Sequence, residues 1–323
     1  MKQITLAEAS FEAYRKTTKR EQFLADMQRV VPWEALIALI EPVYPKPIGA
    51  GRPPIELVKM LRIYFLQQWY DLSDPGVEEA LYDSVSMRRF VGIDLGAEAV
   101  PDETTICKFR HLLEEHHLGD QMFAAVNAHL AASGLKVSRG TMVDATIISA
   151  PSSTKNRDKA RDEQMRSTKK GNQWYFGMKA HIGADTQTKL IHSVVASAAN
   201  VHDSTALPDL LHGEETRVYG DKAYAGQSRI IKAHAPNAKD FTHRKAYRHR
   251  ELSQSEEQAN HHKSKVRSKV EHVFFVIKRQ FKFVKVRYRG LAKNAHRLFV
   301  LCGLTNLFLA RRHLLRLHEY KSV

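Results

Sequence analysis

The chain has 323 residues, and 50 Lys and Arg against 35 Asp and Glu leave a formal charge of +15. Its hydrophobic content of 43% is enough for a sizeable core and excludes a disordered chain. Two cysteines, Cys107 and Cys302, with no C-x-x-C pair, argue against a disulfide framework and a zinc finger, while the cationic excess points to a polyanion such as nucleic acid. A basic but otherwise ordinary enzyme fits the charge as well.

The first part reads as helical. The N-terminal MKQITLAEAS has no apolar signal core, and the longest apolar run, Leu298 to Ala310, reads as too short and mixed to span a bilayer. A cytosolic protein is therefore expected. Pro53 and Pro54 stand where a helix can begin, since proline at the first helical position loses no needed hydrogen bond. IELVKMLRIYFLQQWY then places Leu57, Leu61, Tyr64 and Phe65 on one face. Asp74-Pro75 opens a short helix, Asp102 is a helix-start signal before ETTICKFRHLLEE, and Gly134 closes a further helix as a C-terminal cap. Residues 1–135 are expected to form an all-helical domain, serving DNA binding or dimerisation.

The pattern then changes. GTMVDATII reads as an apolar strand carrying one acid, and FGMKAHIGADTQTKLIHSVVASAA as two strands turning near Asp185 to Thr188. RVYGDKAYAG is another strand with an acid at its end, and KDFTHR is a candidate fifth. Strands in this order, closed by helices, predict a mixed α/β sheet over 136–323. The stretch SSTKNRDKARDEQMRSTKKGNQ and residues 246–263 read as polar connections. Beside a DNA-cutting site such basic loops can also track phosphates.

Three acids stand out by position. Asp144 interrupts the strand MVDATI, where a charge is costly unless it is paired or binds metal. Asp221 ends VYGDKAY, and Glu271 lies on a helix crowded with Lys263, Lys265, Arg267, Lys269, Lys278 and Arg279. Cleaving a phosphodiester needs an activated water and a stabilised leaving oxygen, and two metal ions about 4 Å apart supply both. Carboxylate oxygens suit Mg2+ or Mn2+. Each acid alone also has a structural reading. Asp144 can form a strand-end turn, Asp221 can pair with Lys222, and Glu271 can balance its cationic neighbours. At helical spacing Ser264, Arg267, Glu271 and Lys278 share one face, beside an apolar face of Val270, Val273, Phe274, Ile277, Phe281 and Val284.

These residues carry a resemblance. PDETTICKFRHLLEE, VDATIISAPSSTKN, TKKGNQWYFGMKAHIGAD, AANVHDS, LLHGEE, YGDKAYAG and KVEHVFFVIKRQFKFVKVRYRGLAKN run in order from about residue 50 to 310. Together they resemble bacterial insertion-sequence transposases of the DDE class, in the branch typified by insertion sequence five. The resemblance implies a ribonuclease-H-like catalytic domain behind the helical one. It implies catalytic and metal-ligating roles for Asp144, Asp221 and Glu271, with two Mg2+ or Mn2+ ions. It matches a Tyr-x2-Arg-x3-Glu-x6-Lys motif at Arg267, Glu271 and Lys278, with Ser264 in the tyrosine position. It further implies binding to the element's terminal inverted repeats in double-stranded DNA, a synaptic homodimer, strand transfer into target DNA, and a cytoplasmic, nucleoid-associated location.

From His261 to Val323 there are sixteen Lys or Arg and two acids. Candidate DNA contacts are Arg267, Lys278, Arg279, Lys285, Arg287 and Arg289 there, with Lys108 and Arg110 in the helical part. Tyr288, among these cations, reads either as a stacking ring or as packing. Lys179 and His181 alternate on a strand and read either as facing the site or as the outer face of a sheet edge; His202-Asp203 resembles a family motif, and Asp203 also reads as a helix N-cap. Two rival functions remain: a catalytically silent DNA-binding protein or repressor, and a nuclease that hydrolyses without joining.

Overall fold

The structure, a computed structural model, describes residues 16–47, 53–135, 139–157 and 159–321. The N-terminal decapeptide lies outside these residues, and so do 136–138 beside the expected domain boundary.

Caps and apolar spacing set the helices of the first half. Helix α1 (Lys19–Val30) starts at Thr18, whose hydroxyl accepts the Glu21 N–H at 3.1 Å, and Pro32 separates it from α2 (Trp33–Ile40). Pro53 and Pro54 precede α3 (Leu57–Tyr70) rather than begin it. That helix buries Met60, Leu61, Ile63, Tyr64, Phe65, Leu66 and Trp69, so apolar contact surrounds it where the spacing predicted one face. Ser73 caps α4 (Asp74–Asp83), and α5 (Val85–Val91) follows. Asp102 caps α6 (Glu103–Glu115) as predicted, accepting the Thr105 N–H at 2.6 Å. Helix α7 (Leu118–Ala132) closes at Gly134, which takes a left-handed φ of 85°.

A six-stranded mixed sheet follows, in the order β2-β3-β1-β5-β6 with β4 also on β3. Its strands are β1 (Gly140–Ser149), β2 (Arg166–Lys170), β3 (Gln173–Asp185), β4 (Ile191–Ala198), β5 (Arg217–Tyr219) and β6 (Lys239–Asp240). β1 runs antiparallel to β3 and parallel to β5. Four antiparallel strands (β1–β4) extended by two parallel ones, after an N-terminal helical region, give the ribonuclease-H-like fold that the resemblance implied. At Gly177 the two long strands come so close that a Cβ would lie 2.1 Å from the Ile148 carbonyl oxygen. Two stretches read as connections are partly regular. β2 lies inside 152–173, and α9 (Gln254–Arg267) fills much of 246–263. The helix signal was a capping box: Ser253 accepts the Glu256 N–H, and Glu256 accepts the Ser253 N–H at 3.0 Å.

After α8 (Ser228–His234) and α9, the helix through Glu271 is broken. α10 (Lys269–Phe275) starts beyond Ser268, and Val276–Gln280 widens into a π turn. The single face expected for Ser264, Arg267, Glu271 and Lys278 is therefore not continuous. The last helix, α11 (Leu291–Lys321), exceeds the apolar run read from sequence. By length and composition Leu291–Glu319 could cross a membrane, but 61% of its apolar window is buried, as in a core helix. It packs on α1, α7 and β4, so one continuous core joins the helical region to one face of the sheet. A smaller core on Val143, Leu207, Val218, Tyr224 and Ile231 covers the other face.

One ion network fastens the two ends of this core. Asp71 caps α3 in a left-handed conformation (φ 55°) and accepts from Arg287 and from Arg297, each at 2.7 Å. Arg297 is 2% exposed, also donates to Gln68 at 3.1 Å, and lies 4.9 Å over the Phe283 ring. Asparagine tolerates the same φ, so Asp71→Asn removes the charge without new backbone strain. It leaves a buried guanidinium without its counter-ion. Because Asp71 is partly open to solvent, the expected cost is about 2 kcal/mol, below the ~3–5 of a fully buried pair. Urea denaturation measures it, and a loss under about 0.5 kcal/mol would show that the network does not hold the fold.

Candidate active site

The parallel register places two of the three acids. Met142 on β1 pairs with Tyr219 on β5, so Asp144 and Asp221 each lie two residues further on, at one level of the sheet. Neighbouring strands are about 4.8 Å apart. Asp144 shares the sheet face of Met142, towards α9 and α10. Asp221 opens the 3-10 turn Lys222–Tyr224 and accepts the Ala223 N–H at 2.8 Å. Gly220 makes this turn possible, since a Cβ there would press to 3.0 Å on Tyr224.

Asp144 is largely buried and perturbed. Its side chain is 16% exposed, and burial pushes its pKa up to about 6. Arg267 and the Ala145 N–H, which donates at 2.8 Å, work against that rise, while the charges of Asp221 and Asp203 add to it. Arg267 Nη1 donates to Asp144 Oδ2 at 2.9 Å, and Nη2 reaches Glu271 Oε1 at 3.4 Å. The guanidinium thus stands between the two carboxylates. Glu271 itself is 66% exposed, in the first turn of α10. Among the described residues, no three His, Cys, Asp or Glu side chains close on one point as a metal cage does. The structure brings Asp144 and Asp221 together and sets Glu271 apart, on the far side of Arg267.

The candidate DNA contacts divide. Lys278 is turned inward and donates to the Ile147 carbonyl at 2.7 Å, and burial lowers its pKa. Arg287 is bound to Asp71, and Arg110 is buried between Asp74 (3.0 Å) and Glu114 (3.1 Å), 4.3 Å over the Tyr288 ring. Tyr288 is therefore a packing residue here. Lys108, Arg279, Lys285 and Arg289 are on the surface.

Near the acids the structure adds Tyr224, which the sequence reading passed over, and decides between the readings left open for its neighbours. His202, not Asp203, caps the 3-10 turn Asp203–Ala206. Asp203 pairs with Lys179 at 2.7 Å, so Lys179 belongs to the site's surroundings and not to a plain outer face. His181 is fully buried against Ser197 at 2.7 Å, and burial lowers its pKa to about 4, which keeps it neutral. Tyr224 is buried, its hydroxyl without a hydrogen-bond partner, and burial with the three nearby aspartates raises its pKa. The sign of Asp203 was AANVHDS, which entered only as part of the resemblance. Ser264, in the motif's tyrosine position, lies 3.2 Å from His243 Nε2.

The raised pKa of Asp144 has a consequence for stability. The folded chain holds this proton more tightly than the unfolded one, so unfolding releases it between the ordinary carboxylate range and pH 6. The carboxylate then costs stability as pH rises through that window. Asp144→Asn is expected to stabilise the fold at pH 8 by up to about 3 kcal/mol, at 1.36 kcal/mol per pKa unit, and to lose most of that advantage at pH 4. Denaturation of both proteins at the two pH values tests this. A variant less stable than wild type at pH 8 would mean that Arg267 outweighs desolvation.

Comparison with known proteins places the chain by family. A family model described as "Transposase DDE domain" matches residues 136–307, more than half of the chain, and one described as "Transposase domain" matches residues 11–112. A cryo-EM structure of a piggyBac transposase synaptic complex with hairpin DNA aligns with a TM-score of 0.47 at 8% identity, over 94% of this chain and 77% of that one. A chain matched by transposase models over its sheet and over most of its helical region belongs to the DDE transposase family.

Proposed function

We propose that the chain is an insertion-sequence transposase of the branch typified by insertion sequence five, which binds its element's terminal inverted repeats and both cuts and joins DNA strands. The observation that carries this is the pair Asp144, on β1, and Asp221, just past the end of the adjacent parallel strand β5, with a cation against the more buried one. Surface cations and a net charge of +15 supply the attraction to DNA.

Asp144 and Asp221 offer hard oxygen donors suited to Mg2+ or Mn2+, and Arg267 already stands as a positive charge against Asp144. Two such ions, when bound, activate the attacking oxygen and stabilise the leaving one. Glu271 fits as a further donor once Arg267 releases it, because its carboxylate is exposed on a short helix flanked by Ser268 and a π turn. In this reading Arg267 passes from the acids to a DNA phosphate. Lys278 holds the Ile147 carbonyl, and so the strand that carries Asp144. Water serves as nucleophile in cleavage, and a freed 3′-hydroxyl takes its place in joining. The working assembly is a homodimer on two element ends, in the cytoplasm beside the nucleoid. Division of labour at about residue 135 gives end recognition and dimerisation to the helical part and chemistry to the sheet.

Asp144→Asn and Asp221→Asn are each expected to lower nicking of DNA bearing the element's ends in Mg2+ by at least a hundredfold, with band-shift affinity kept within about threefold. Nicking at the wild-type rate by either variant would sink the assignment. Loss of joining alone in wild type would mark a nuclease, and no nicking by wild type would mark a DNA-binding derivative.

A second expectation concerns Arg267. Lysine there keeps a charge but loses the two-armed fork that reaches Asp144 and Glu271 together. Arg267→Lys is expected to lower the nicking rate at saturating DNA by about tenfold or more. An unchanged rate would show that the fork has no part in the reaction.

A further inference from the structure

The stretch Arg244 to Arg250 reads RKAYRHR: four Lys or Arg, one His and no acid. It lies between β6 and α9, and all seven residues are exposed. Tyr247 and Arg250 exchange backbone hydrogen bonds at 2.9 and 3.0 Å, so the chain forms a tight hairpin with Arg248 and His249 at its tip. Tyr247 is 60% exposed beside that tip. Burying an aromatic ring is worth more than leaving it wet, so a tyrosine surrounded by cations at a hairpin end is unpartnered apolar surface in a strongly positive field.

The hairpin is held firmly. Asn260 on α9 accepts the Arg244 N–H at 2.9 Å and donates back to the Arg244 carbonyl at 3.0 Å. Lys263 Nζ donates to the Thr242 carbonyl at 2.8 Å. Glu256 receives Arg244 at 2.5 Å and Arg250 at 2.6 Å, yet both arginine side chains stay more than 60% exposed. One carboxylate therefore orients two guanidinium groups without covering them, which lowers the ordering cost when they meet an anion.

Beneath the hairpin is a polar cavity of about 330 Å3, lined by Gly226, Asp240, Thr242, Arg244, Tyr247 and Lys263 among others. Gly226 belongs to the loop that follows Asp221, and Lys263 lies one helical turn before Arg267. The cavity is thus walled on one side by the Asp221 loop and on another by the helix that ends at Arg267. A duplex offers no free base face to a tyrosine, because its bases already stack on one another. A single strand offers both a phosphate for the arginines and an unstacked base for the ring.

We propose that the Arg244–Arg250 hairpin is a binding site for single-stranded DNA, in which Tyr247 stacks on one unpaired base while Arg244, Arg248 and Arg250 hold the adjoining phosphates. It deepens the DNA-acting reading and rests on it for the identity of the polyanion. The site would take a frayed or already cut strand beside the acids, and would prefer it to intact duplex.

The test uses the full chain and two probes of equal length, a labelled single-stranded oligonucleotide and its blunt duplex, in buffer without divalent metal. Tyr247→Ala is expected to weaken single-strand binding about tenfold, the scale of one lost base stack, and duplex binding less than twofold. Tyr247→Phe keeps the ring and is expected to bind as wild type. Arg248→Ala is expected to lower the slope of log affinity against log salt by about 0.7 on the single strand. Because Tyr247 is exposed, an unchanged melting temperature checks that the variants are folded. Equal losses on both probes, or an unchanged single-strand affinity in Tyr247→Ala, would overturn the proposal; so would an aromatic-dependent preference for an acidic peptide over DNA. Failure of the transposase reading is separable, since it shows as wild-type nicking by Asp144→Asn whatever Tyr247 does.

Discussion

A carboxylate set among buried apolar strand residues costs free energy unless a cation answers it. Asp144 is in that position, and Arg267 is its answer. The contact links elements 123 residues apart in sequence. It fixes where α9 must end, which fixes where α10 starts, and so where Glu271 emerges. The break at Ser268 follows naturally. Across the break Arg267 and Glu271 still meet at helical i,i+4 spacing, at 3.4 Å. In this structure one guanidinium touches both acids, which leaves the group with net negative charge.

The surroundings of Asp144 are arranged to keep it uncomfortable. Asp221 and Asp203 raise its proton affinity, and neutral His181 contributes no positive charge to relieve it. Lys179 is committed to Asp203. Tyr224 is protonated at any ordinary pH and offers a donor with nothing to receive it. Buried polar groups are nearly always satisfied. The unpartnered Tyr224 hydroxyl lies near the raised carboxylate of Asp144, and unpartnered buried atoms occur in the helical region too, at Trp69 and Tyr70. Other buried acids are matched. Glu215, for instance, is fully buried but receives the His212 and Gly213 N–H groups at 2.7 and 2.8 Å.

Much of this was legible in the chain, and the remainder failed for identifiable reasons. Caps read directly: Asp102 and Gly134 mark helix ends by chemistry that acts within a few residues. Asp144 was conspicuous as an acid inside an apolar strand, and Asp221 as an acid just past the end of one. What periodicity misread was helix continuity. Spacing assumes an unbroken 3.6-residue repeat, and Ser268 and the π turn at Val276–Gln280 each shift the phase. Lys278 consequently points to a backbone carbonyl. The polar stretch before Arg267 looked irregular because its helix has little apolar face to announce it, although the Ser253 and Glu256 capping box was present in sequence. Asp203 gave no local sign of its partner, since Lys179 reaches it from another strand.

The count of cations also needs a structural correction. Sixteen Lys or Arg after residue 260 suggested a DNA surface in the C-terminal segment, yet part of that charge is spent inside. Arg287 and Arg297 neutralise Asp71, and Lys278 serves a carbonyl. Arg110, chosen for its helix position, is bound by Asp74 and Glu114. A guanidinium that is already desolvated and paired gains little from a phosphate, because it must first lose its partner. Exposed cations retain their full attraction and release counter-ions on contact. By that criterion charge for DNA is thin at Lys278 and Arg287, and dense at Arg244–Arg250, which runs into the stretch 246–263 that composition had left between a solvated loop and one that tracks phosphates.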